Sequence, residues 1–297
     1  MDLPSNLDRC FHDCKLEKIK ERVMGNRFFR LIILLGILTM TLGIPNYISA
    51  QGIDLESEHP EAAAAEGQTV TSAGLGIGIV PDYEGSSDYT VVPLPYLSMR
   101  FANNMSVLWV ANKASANLVP SRNWMAGPIV EYIRSRADVD NDKVDDLKNV
   151  DAALMMGGFV GYRIDRFTVS LEAMADIASG NDGAIVRLKG IYHLPINEEW
   201  SALFIAYTSW ADSDYMDTYF GIDGADHRRS GLSKHDADAG FKDVGFVVPV
   251  TYSPFEHWSF MGALGYKRLV GDAEDSPVVK KGSANQFVAG AFVIYKF

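Results

Sequence analysis

The chain has 297 residues, 47% hydrophobic and 22% charged, with a formal net charge of −11, and its mean hydropathy is close to zero. Each helical membrane span needs about 20 apolar residues in a row, and the longest such run, Leu31 to Ile44, has 14, so a bundle of helical spans is excluded. An acidic balance also gives the chain no electrostatic attraction to nucleic acid.

In chain order, residues 1–50 read as a signal peptide. Arg27 and Arg30 form its positive region, Leu31–Ile44 its apolar core, and Ile48-Ser49-Ala50 a cleavage site before Gln51. A membrane anchor is the alternative, but it needs a longer run. Residues 1–23 are charged and unlike a signal peptide, so Met24 is the expected start. Cys10 and Cys14, the only cysteines, precede the cleavage site, so the mature chain is expected to hold neither thiol nor disulfide. Residues 1–50 carry 7 basic and 5 acidic side chains, so cleavage takes the net charge from −11 to −13. Residues 51–68 are acidic and Ala-rich and read as a flexible lead-in.

From residue 69 to 297 the pattern changes. Segments of about 10 residues alternate apolar with polar or small side chains, the signature of strands with one face in lipid and one in a lumen. Phe167, Val169, Leu171, Ala173 and Ala175 form one apolar set, with Thr168, Ser170, Glu172, Met174 and Asp176 between them. Val186, Leu188, Gly190, Tyr192 and Leu194 alternate with Arg187, Lys189 and His193. Short turns are predicted near 102–104, 120–122, 164–166, 196–198 and 254–256, and longer links at 81–89, 136–150, 178–183, 211–238 and 270–285. The strands between them run over 70–80, 90–101, 105–111, 114–119, 124–135, 151–163, 167–177, 184–195, 199–210, 239–253, 257–269 and 286–297. The prediction is therefore all-β, an antiparallel transmembrane β-barrel of about 12 strands within a range of about 10 to 14. Every short turn then lies on the periplasmic side with both termini, and a narrow lumen is partly filled by Glu172, Arg187, Lys189 and His193.

Several constellations are candidates for function. In Pro81-Asp82-Tyr83-Glu84-Gly85-Ser86-Ser87-Asp88-Tyr89, carboxylates and aromatics on an outer loop suit a cation, sugar or peptide. The alternative is that Pro and Gly shape the loop while Tyr83 and Tyr89 anchor at lipid headgroups. Asp214, Tyr215, Asp217, Tyr219 and Phe220 fit either a loop folded into the barrel mouth or plain structural roles. Asp138-x-Asp140-x-Asp142 opens like a calcium loop, but Lys143 stands where Gly is required and Asn149 where Glu is required, so no metal site is expected. The histidines after the cleavage site, at 59, 193, 227, 235 and 257, accompany no Gly-x-Ser-x-Gly elbow. Neither catalysis nor a cofactor is expected. His227, Arg228, Arg229, Lys234 and His235 form a basic island suited to solvent or to lipopolysaccharide.

Three stretches resemble one family. GLGIGIVPDYEGSSDYTVVPLPYLSMRF (74–101), DSDYMDTYFGI (212–222) and the tail from Lys242 to Phe297 resemble signatures of the MipA/OmpV outer-membrane proteins. The resemblance implies an outer-membrane barrel without enzymatic activity. It also implies a scaffold role joining a murein transglycosylase to a penicillin-binding protein. A narrow solute channel, or a surface adhesin or osmotic-response protein, is the alternative. Tyr295 and the terminal Phe297 resemble the signal that the barrel-assembly machinery reads, and lipid and lipopolysaccharide are the remaining expected partners.

Overall fold

A computed structural model describes residues 69–297 as an antiparallel sheet closed on itself. The expectations for residues 1–68, including cleavage between Ala50 and Gln51, lie outside the described residues. Twelve strands follow in order among the described residues: β1 (Val70–Pro81), β2 (Tyr89–Arg100), β3 (Ser106–Val110), β4 (Lys113–Asn117), β5 (Trp124–Ile133), β6 (Ala153–Ile164), β7 (Phe167–Asp176), β8 (Ala184–Pro195), β9 (Trp200–Ala211), β10 (Gly240–Tyr252), β11 (Trp258–Leu269) and β12 (Asn285–Lys296). Each pairs with its sequence neighbours, and β1 pairs with β12 over eight positions, from Ser72↔Lys296 to Ile79↔Ala289. Closure is what lipid demands of a sheet, because an open edge leaves N–H and C=O groups unpaired in hydrocarbon at several kcal/mol each.

Alternation builds the wall. In β7, Phe167, Val169, Leu171, Ala173 and Ala175 are exposed, while Thr168, Ser170, Glu172 and Met174 are buried. Leu75 and Ile77 of β1 are each 66% exposed, as side chains facing acyl chains should be. Aromatics gather at the turn-side rim as directly opposed cross-strand pairs. Trp124 meets Tyr162 at 4.7 Å, Trp200 stacks on Tyr252 at 4.4 Å, and Trp258 meets Tyr295 at 5.0 Å. They form an aromatic girdle around the rim that carries the short links.

The links at that rim are short, residues 101–105, 118–123, 165–166, 196–199 and 253–257. At the opposite rim, 134–152, 212–239 and 270–284 carry small helices: α1 (Asp142–Asp145), α2 (Ser213–Phe220), α3 (Gly224–Ser230), α4 (Asp272–Asp275) and α5 (Pro277–Lys280). Side-chain caps start the longer ones. Asp212 accepts from the Tyr215 N–H, and Asp223 from those of Ala225 and Asp226, while Gly231 at φ 71° ends α3.

The interior packs in three tiers. Inward side chains of the wall, including Leu94, Tyr96, Ile205, Tyr207, Val247 and Phe292, fill the middle. Above them Tyr215, Met216, Tyr219 and Phe220 of α2 pack against Ile133, Met155, Met174 and Ile185. Tyr83, Val144, Leu147, Ile222, Leu232 and Val278 form an outer cap. This corrects one expectation: Tyr83 is 1% exposed within that cap, so it cannot reach lipid headgroups, whereas Tyr89 at the start of β2 faces outward.

Candidate functional site: the lumen and its outer mouth

Two buried ionic clusters cross the lumen. In the first, Glu172 of β7 gathers three cations, two from the neighbouring strand β8 and one from β4 across the lumen. It accepts from Lys113 Nζ at 2.7 Å and Arg187 Nη1 at 3.3 Å, and it pairs with Lys189. Arg187 also reaches Glu131 of β5 at 3.1 Å. Register explains part of this, since Glu172 and Arg187 are directly opposed across β7 and β8. Taking such charges from water is costly, and dense mutual pairing offsets that cost.

The second cluster is anchored by a loop residue. Glu84 lies between β1 and β2, yet its carboxylate dips into the mouth and accepts from Lys242 at 2.7 Å and Lys267 at 2.5 Å. Lys242 also donates to Asp243 at 2.7 Å and lies 5.3 Å from the centre of the Tyr215 ring. A bulge between Phe241 and Asp243 makes this possible, because it turns the consecutive residues Lys242 and Asp243 both inward. Burial opposes the charged form of Glu84, but the two ammonium groups and their hydrogen bonds outweigh it and hold the carboxyl at about 2, against an ordinary 4.5. Burial and the neighbouring Glu84 charge push Tyr215 well above the ordinary tyrosine range, so its hydroxyl remains a donor to Glu84 at 3.4 Å.

The backbone around Glu84 is clamped as well. The Gly85 N–H donates to Gln286 Oε1 at 3.2 Å, and Gln286 Nε2 donates to the Ser86 carbonyl at 2.9 Å. Gly85 sits at φ 98°, in the left-handed region, and a β-carbon there would lie 2.7 Å from Val279. The space among Glu84, Glu131, Arg187, Lys242, Tyr215 and Tyr219 has room for about one water molecule.

The structure therefore gathers part of the predicted set. Glu84 and Tyr219 meet in the mouth, Tyr83 supports the cap, and Asp82 stands at the rim, where its carboxylate Oδ1 accepts from Arg134 at 3.2 Å. Asp217 points elsewhere, accepting from the Ala237 N–H at 3.0 Å to tie the 212–239 link together. Asp138, Asp140 and Asp142 do not converge with other ligands into a metal-holding group among the described residues. Sequence reasoning missed Lys242, Glu131 and Lys113. The signal for Lys242 was the break in alternation at Phe241-Lys242-Asp243-Val244, two charges in succession inside an apolar strand.

Comparison with known proteins finds one family and outer-membrane relatives. The family described as MltA-interacting protein MipA matches residues 73–297. The Escherichia coli O157:H7 protein "Putative outer membrane protein YiaT" is 29% identical over 158 residues, which is 52% of this chain and 62% of that one. Its counterpart in strain K12 is 30% identical over 139 residues, 46% of this chain and 54% of that one. The chain thus spans less than two thirds of these relatives. Among solved structures, an outer membrane channel from Pseudomonas putida F1 is similar with a TM-score of 0.43 at 10% identity, covering 82% of this chain and all of that one. The NanC porin gives 0.37 at 8% identity, covering 77% of this chain and all of that one.

Proposed function

The chain belongs to the MltA-interacting protein MipA family, and on that premise we propose that it is a non-enzymatic interaction protein of the outer membrane, a scaffold for murein-metabolising enzymes rather than an open pore. The observation that carries this reading is the filled lumen. Two ionic clusters, a tier of apolar side chains and α2 occupy the space that a solute would need. The short turns at the other rim, 101–105, 118–123, 165–166, 196–199 and 253–257, are the surface offered to the periplasm. The partner chemistry in this reading is a murein transglycosylase of the kind the family description names, together with a penicillin-binding protein.

Two measurements test it. Purified barrel in planar bilayers is expected to give no steady conductance steps, and affinity capture from envelope extracts is expected to retain a murein transglycosylase. Regular steps from the unmodified protein, or failure to retain any murein enzyme, overturns the reading.

A narrow channel is the second reading. One observation favours it: the mouth is closed by connecting segments, α2 and the Glu84 loop, that are separate from the wall ladder.

A further inference from the structure

One end of the lumen is basic, although the protein carries a net charge of −11. Period two assigns the lining: along β2 the buried Leu94 and Tyr96 face inward, and so do Ser98 and Arg100. Arg163 of β6 stands opposite the wholly buried Thr168, and its Nε donates to Thr168 Oγ1 at 3.5 Å. His193 of β8 shares a face with the buried Ile191 and stands opposite the buried Leu203. Lys296 of β12 follows Phe292 and Ile294 inward and stands opposite the buried Ser72. These four basic side chains are half-buried and lie in the halves of their strands next to the short links. Among the described residues, every inward carboxylate of the strands, Glu131, Glu172, Asp176 and Asp243, lies in the half farther away. Asp165, Glu198, Glu199 and Glu256, at the near rim, are exposed on the links.

Basic groups gathered in a cleft with low-dielectric walls focus a positive potential along its axis. With the inward carboxylates at the far end, the near end is complementary to an anion that enters from the short-link side. The chain itself supplies one. Residues 51–68, which lead into β1, hold Asp54, Glu56, Glu58, Glu61 and Glu66 and no Lys or Arg. They join the wall at this same rim, where Val70 stands opposite Arg100 and Ser72 opposite Lys296. β1 therefore begins between two of the four basic side chains. From Val70 back to Asp54 the chain can reach up to about 55 Å, long enough to enter the lumen. So short a tether also keeps the segment at an effective concentration in roughly the millimolar range.

We propose that the acidic segment 51–68 docks into this basic end of the lumen, against Arg100, Arg163, His193 and Lys296, and closes the barrel from the side of the short links. α2 and the Glu84 loop close the other end by packing and buried ion pairs. The segment is instead tethered at one end and held by charge, so its docking depends on ionic strength. Salt shortens the screening length from about 10 Å at 0.1 M to about 3 Å at 1 M, and charges that water can reach then cease to attract.

The test is disulfide trapping in the full chain, in a Cys10→Ser, Cys14→Ser background. One cysteine is introduced by Glu58→Cys, and the other either inward by Ser98→Cys or outward by Leu97→Cys, with heat-modifiable migration showing a folded barrel in each case. At low salt the disulfide between positions 58 and 98 is expected to form several-fold faster than that between 58 and 97, and the preference is expected to fall several-fold at about 1 M salt. Asp54→Asn with Glu56→Gln, Glu61→Gln and Glu66→Gln leaves the wall untouched and is expected to abolish the preference. Equal rates at 97 and 98 with the unneutralised segment overturn the proposal and leave this end of the lumen to solvent and small anions. A preference for 98 that survives the four neutralising substitutions also overturns it.

Discussion

A buried carboxylate is tolerable only where cations and hydrogen bonds replace its water, and Glu84 shows how completely a loop residue can meet that condition. Removing one partner of such a buried group leaves the others uncompensated, so Glu84→Gln is expected to lose about 3 kcal/mol, measured as the denaturant midpoint of the detergent-solubilised barrel. The Glu84 carboxyl lies below its ordinary value when folded. Its stabilisation is therefore complete above pH 4.5 and is lost as pH falls from 4.5 toward 2. Acid should lower the midpoint of the wild type over that window more than that of Glu84→Gln; equal pH dependence in both would refute the assignment. Glu172→Gln strips one carboxylate from three cations at once and is expected to be the more damaging change, visible as a smaller heat-modifiable fraction. Glu172, Arg187 and Lys189 were legible as inward residues because period two holds through β7 and β8. Lys242 was not, because the bulge that turns it inward is a break in that same period.

Strands were the most legible elements, for a reason that lies in the medium. Lipid outside and a filled lumen inside impose opposite demands on successive residues, so β7, β8, β9 and β11 fall within about two residues of their predicted bounds. The second strand of the β3–β4 hairpin was expected over 114–119, and the structure has it at Lys113–Asn117. The loop helices were missed because helices of four to eight residues owe their stability to caps and burial rather than to periodicity. Their caps could have been read: Asp212 and Asp223 precede α2 and α3, and Gly231 follows α3. α2 is the element that decides whether the mouth is closed, since Met216 and Phe220 are wholly buried there. Replacing 212–239 by a short Gly-Ser link is expected to convert a silent barrel into one with resolvable conductance steps in planar bilayers. A loop-deleted barrel that folds and stays silent would show that the wall side chains alone seal the lumen.

At the scale of the whole molecule, the last strand decides whether any of these features exist. β12 must find β1, about 220 residues away in sequence and hence costly in loop-closure entropy, before the ionic clusters can be shielded or the Glu84 clamp on Gln286 can form. The closing seam ends in the Phe297 N–H donating to the Thr71 carbonyl at 2.9 Å. Beside it Tyr295 meets Phe297 edge-on at 5.0 Å and Trp258 at 5.0 Å. The terminal aromatics thus complete the aromatic girdle at the rim of the short links. Deleting Phe297 removes one rung and one ring and leaves the lumen and the outer cap untouched. Its effect is therefore expected in assembly: less folded barrel in the outer membrane, by cell fractionation and heat-modifiable migration, with near-normal unfolding for the fraction that does fold. Normal membrane levels of the truncated chain would show that the assembly signal lies elsewhere in β12. A large drop in the stability of the folded fraction would instead make Phe297 a structural closing residue and nothing more.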